Sequence, residues 1–218
     1  HDINIQTDAY ALARQSLQFC EQSATTMDQK VNCASGVFNG IANAYTAGQY
    51  GLAADNKSPA RLCQAQPEYA KGTCYAFMAR VWLALTQDDF SQAIALAKKS
   101  VEQDFMDLIV SNAAVIYAGR YLKDDLEPVL LSCRSLDRTE RDPCIKGAVI
   151  GLIQSSPPEQ EFQNCSRLCR LPSLSGEERE RCISELFTEI RKMYPRERFR
   201  ALCEAGDPAE RLICLPLV

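Results

Sequence analysis

Ten of the eleven cysteines in this chain fall into five pairs that are close in sequence, and their spacing restricts the fold more than any other feature. Twelve residues separate Cys20 from Cys33 and Cys169 from Cys182. Ten separate Cys63 from Cys74, Cys133 from Cys144, and Cys203 from Cys214. Four of these gaps contain a proline (Pro67, Pro143, Pro172 and Pro208). Proline disfavours helix interiors, so each gap is expected to hold a turn between two helices. Antiparallel helices pack with axes about 8–10 Å apart and carry their Cα atoms about 2.3 Å off axis. Facing cysteines can then approach to about 4–6 Å between Cα atoms, which is disulfide range. A bridge is therefore expected within each pair. Cys165 is left over, as a buried free thiol, a partner for another chain, or a competitor of Cys169 for Cys182.

Metal binding fits the cysteines poorly. There is no Cys-x-x-Cys, and the single histidine is His1, so zinc-finger and zinc-ribbon spacings are missing. Cysteines destined for disulfides point to an oxidising compartment, extracellular or periplasmic. No apolar run approaches bilayer-spanning length. The chain opens on His1, as a processed mature form would, although a tag remnant gives the same start. The net charge of −4 arises mainly in residues 101–160, with 6 basic against 10 acidic residues. No segment has the basic excess that phosphate contacts require, so nucleic acid is not an expected partner.

The first members of the pairs (Cys20, Cys63, Cys133, Cys169, Cys203) stand 43, 70, 36 and 34 residues apart. The gap of 70 is close to two periods, which predicts a cysteine-free unit between Cys63 and Cys133. The stretch from Phe90 to Leu122 reads as one, two helices with a turn near Gln103-Asp104. Such a period is the mark of stacked helical hairpins. The fold expected is all-α, a single domain over 1–218, built as a right-handed solenoid of five to six antiparallel hairpins. Its helices are expected at about 6–24, 31–47, 49–64, 72–86, 89–102, 104–122, 125–135, 142–154, 158–169, 177–193, 195–204 and 208–215. Phe90, Ile94, Ala97 and Val101 share one helical face, and Trp82 is a core candidate. Gly36 and Gly40 follow Cys33 at the same offsets at which Gly147 and Gly151 follow Cys144. Both pairs are expected to let a neighbouring helix approach closely.

Two stretches resemble the tetratricopeptide-type helical repeats and their Sel1-like relatives: Gly48-Gln49-Tyr50-x-x-Ala53 and Asp89-Phe90-x-x-Ala93-Ile94. A third, Asp124 to Val129, is a degenerate version interrupted by Pro128. The resemblance covers roughly residues 31–130; residues 131–218 match only in length and helicity. It implies that each cysteine pair joins the second helix of one repeat to the first helix of the next. The cysteine spacing departs from the secreted members of that group. It also departs from the smaller twin-cysteine hairpins of the mitochondrial intermembrane space.

No catalytic motif stands out. One terminal histidine leaves no Ser–His or Cys–His arrangement, and no Gly-rich phosphate loop is present. The carboxylates Asp88/Asp89, Asp124/Asp125/Glu127 and Glu177/Glu178/Glu180 fall at predicted helix starts or turns, where they favour the helix dipole. Arg191, Lys192, Arg196, Arg198 and Arg200 are interleaved with Glu185, Glu189 and Glu197, as on a solvated face. Tyr45, Tyr50, Tyr117 and Tyr121 are candidates to line a binding groove, at least two of them being ordinary packing. These features favour a non-enzymatic exported scaffold that holds a protein or peptide and needs no cofactor or metal. The other classes weighed are a carrier of an apolar ligand between its helices and a carboxylate-dependent exported enzyme.

Overall fold

The computed structural model describes residues 8–218, and these are all-helical, with twelve α-helices and three short 3-10 turns. The chain divides into two compact units, one reaching to Ala113 and the other running from Ala114 to Val218.

The first unit holds α1 (Ala9–Ser23), α2 (Met27–Ala47), α3 (Ser58–Gln64), α4 (Glu68–Leu85), α5 (Phe90–Ala97) and the start of α6 (Met106–Arg120). α2 opens on a capping box in which Thr26 and Gln29 satisfy each other's backbone N–H groups. It buries Ala34, Phe38, Ile41, Ala42 and Tyr45, a stripe at helical spacing, and packs on α1 and α4. Trp82, Tyr75, Met78 and Leu83 of α4 complete the core beneath it. Asp89 caps α5 by accepting from the Gln92 N–H, and Phe90, Ile94 and Ala97 are buried as their spacing predicts. α5 stops at Ala97, which leaves Val101 in the following turn.

The second unit holds the rest of α6 with α7 (Glu127–Arg134), α8 (Arg138–Ser155), α9 (Glu161–Cys169), α10 (Gly176–Met193), α11 (Arg196–Ala205) and α12 (Pro208–Cys214). Long-range ion pairs tie it together. Arg134 of α7 makes a two-pronged contact with Glu178 of α10 (3.0 and 2.6 Å) and also donates to the Ser173 carbonyl. Arg170 grips Glu210 in the same way. Arg167 donates to the carbonyls of Leu122 and Asp124.

All five expected cysteine pairs are bridged, with Cα separations of 5.3–5.6 Å. Each bridge joins consecutive helices: α1–α2, α3–α4, α7–α8, α9–α10 and α11–α12. α5 and α6 carry none, in keeping with the cysteine-free unit expected there. Cys165 is unpaired and buried, and its thiol points at the Val149 carbonyl.

The structure departs from the sequence expectations at several points. The helix expected over 49–64 forms only from Ser58; Gln49–Gly51 is a 3-10 turn and an irregular segment follows. Gly48, Tyr50 and Gly51 there have φ of 61°, 55° and 70°, a left-handed run that no α-helix can contain. Pro143 does not mark a turn but sits inside α8, whose turn from α7 lies just before Arg138. α1 is described from Ala9, and residues 6 and 7 of the expected first helix lie outside the described residues, as does His1.

Candidate docking groove

α1 and α2 run side by side under the Cys20–Cys33 bridge. Because α2 turns its bulky residues toward α4, its other face is left with Gly36 and Gly40, both exposed. A groove of about 440 Å³ lies there, lined by Leu12 and Ser16 of α1, Gly36, Val37, Gly40, Ile41 and Ala44 of α2, and Tyr50. No lining side chain other than the Tyr50 phenol is ionisable. A β-carbon added at Gly36 or Gly40 would meet none of the described residues within 4 Å. Among the described residues, the close helix approach expected at these two glycines is therefore not made.

Tyr50 borders the groove and is 71% exposed. Its left-handed backbone is unusual for a bulky residue and carries a conformational cost. The two flanking left-handed glycines, Gly48 and Gly51, set the bend that holds the ring out in solvent. Phe19, 66% exposed, lies one turn beyond Ser16 on the same face of α1.

Tyr45 has a different role. It is buried at 9% exposure, and burial pushes its phenol up to about 12. Its edge lines a separate cleft of about 330 Å³ with Tyr10 and Leu52. Tyr117 and Tyr121 belong to the second unit, where their rings lie 5.0 Å apart and their hydroxyls 3.3 Å apart. Of the four candidate tyrosines, only Tyr50 borders the glycine groove.

The charged clusters are largely occupied. Glu178 caps α10 with Ser175 and is held down to about 2, chiefly by the Arg134 guanidinium. Asp125 accepts from the Glu127 N–H, and Glu177 pairs with Arg181. Within the basic cluster, Lys192 pairs with Glu189 as expected. Arg198 instead reaches Glu159 and stacks over Tyr194, and Arg196 donates to the Val218 carbonyl. Tyr194 donates to Glu161 at 2.6 Å. No group of three or more acidic, histidine or cysteine side chains among the described residues could hold a metal ion. No helix among them is long and apolar enough to cross a membrane.

The groove left a trace in the sequence that the motif reading passed over. From Val31 to Ala54 there is not one Asp, Glu, Lys or Arg, whereas the chain as a whole is 24% charged. Exposed positions on α2 within this run are Asn32, Asn39, Asn43, Thr46 and Ala47 besides the two glycines. Loss of charge from an exposed surface is the compositional mark of an interface centre.

No protein-family model, curated protein or solved structure matches the chain.

Proposed function

We propose that this chain is a non-enzymatic, exported interaction scaffold that holds a protein or peptide in the α1–α2 groove. In this reading its stapled helix pairs stack in the manner of the tetratricopeptide-like repeats, as a right-handed solenoid, and the disulfides keep the frame rigid in an extracellular or periplasmic setting. The observation that carries the proposal is the open, charge-free groove floored by Gly36 and Gly40, with Tyr50 held exposed beside it by a left-handed bend. An aromatic residue kept in a costly conformation at the edge of an apolar surface is the kind of anchor that interfaces use.

The carrier reading calls for an enclosed apolar chamber. The large clefts described above open to solvent, and the small apolar space between α7, α8, α9 and α10 is only about 10 Å³, so no observation favours that alternative.

The test is a photo-crosslinking amino acid placed at Tyr50 and irradiated in the native secreted or envelope fraction. A discrete protein or peptide adduct is expected, and it disappears when Gly40→Leu fills the groove. An adduct indifferent to Gly40→Leu, or none at all, contradicts the proposal.

A further inference from the structure

The two Cys-x2-Gly-x3-Gly helices of this chain differ in what lies over the second glycine. In α8, Gly147 and Gly151 are buried. A β-carbon on Gly151 would land on the Val115 carbonyl of α6, and Gly119, one turn further along α6, faces Ser155 and the Gly151 carbonyl. The glycine face of α8 is thus closed by a helix seated backbone to backbone, which only glycine permits. In α2, Gly40 stands at the Gly151 offset and Ala44 at the Ser155 offset, and there no described residue covers the same face, which forms the groove floor.

From this internal counterpart we infer that the α1–α2 groove is a seat for a single α-helix of a partner protein, presenting small or β-branched residues four apart on an uncharged face. The inference rests on the scaffold reading above and names its ligand. Two observations point to a helix rather than an extended strand, and a third to an uncharged face. The chain itself seats α6 on the equivalent face of α8, with Val115 and Gly119 as the contacting pair. The groove follows one helix axis, from Gly36 through Gly40 to Ala44, and grooves of this kind take an amphipathic helix. Its lining residues and the stretch of α2 from Val31 onward carry no charged side chain, so a charged helix face would lose solvation in the groove without compensation. The glycines also weaken α2 as a helix, while alanine would fit the space above each of them. No contact among the described residues of the first unit calls for them, but a helix resting on α2 does.

The probe is a labelled, side-chain-stapled peptide with the α6 sequence Met106–Arg120, titrated into the intact protein. Saturable binding is expected. It should weaken about tenfold or more when the protein carries Gly40→Leu and, separately, when the peptide carries Gly119→Leu. A Gly36→Leu protein serves as the second variant, since no described residue lies within 4 Å over either glycine and neither change disturbs the core. The inference is overturned by absence of saturable binding, by binding indifferent to Gly40→Leu, or by a Gly40-dependent dimer in sedimentation without peptide, which would make a second copy the occupant. If the peptide fails while the Tyr50 adduct remains sensitive to Gly40→Leu, the helical ligand is wrong and the scaffold reading stands.

Discussion

Gly151 lies so near the backbone of Val115 that no other residue fits there, whereas no described residue lies within 4 Å of a side chain at Gly40, at the same offset from its own disulfide. One motif therefore serves two ends in one chain, closed against α6 in the second unit and left open in the first. The contrast predicts opposite outcomes for the same substitution. Gly40→Ala should raise stability by about 0.5–1 kcal/mol, the usual gain for an exposed helix interior. Gly151→Ala should lower it by about 1–3 kcal/mol through overpacking. Urea unfolding midpoints of the two variants check this directly.

Tyr50 is held at φ 55° with its ring exposed. Tyr50→Gly should stabilise the free protein by about 1 kcal/mol by relieving the left-handed backbone, while removing the groove's aromatic border. The expected pair of results is a higher melting temperature together with weaker capture of the partner. A lower melting temperature would mean that the ring supports the fold.

The Arg134–Glu178 contact predicts how part of the stability responds to acid. Glu178 is held at about 2, well below its ordinary 4.5, so its contribution is complete above about pH 4.5 and is lost as pH falls toward 2. Arg134→Met should cost about 1.5–3 kcal/mol at neutral pH, the range for a hydrogen bond to a charged group. The gap between variant and parent should then narrow through that acid window. Unfolding free energies measured from pH 7 down to pH 2 test the sign.

Each disulfide closes a short loop between consecutive helices. Replacing Cys133 and Cys144 together by alanine should cost about 2–4 kcal/mol, with helicity retained in the first unit. Thermal melts followed by circular dichroism report both effects.

Much of this frame was legible in the chain because cysteine spacing is a local signal. A gap of 10 or 12 residues leaves room for one turn and little else, so the pairing, the helix count and the cysteine-free unit around Gln103 all follow from it. Failures came where a local rule met tertiary context. Pro143 reads as a helix breaker yet lies inside α8. The Gly48–Gly51 stretch has helical spacing around it but adopts left-handed dihedrals, which spacing does not encode. For the groove, the glycine offsets were visible, but whether a helix covers them depends on α6, which is distant in sequence from both motifs. The absence of charge between Val31 and Ala54 was the cue that separates the open face from the covered one.

The whole frame depends on five bridges between sequence-adjacent cysteines, with Cys165 the single thiol. Cys165 is fully buried, and burial pushes its thiol well above the ordinary range, so it should resist alkylation in the native protein. The decisive measurement is thiol titration and non-reducing peptide mapping of protein unfolded without reductant, taken from its native compartment. One reactive thiol is expected, at Cys165, together with the bridges Cys20–Cys33, Cys63–Cys74, Cys133–Cys144, Cys169–Cys182 and Cys203–Cys214. Close to eleven free thiols, or bridges between other partners, would contradict it.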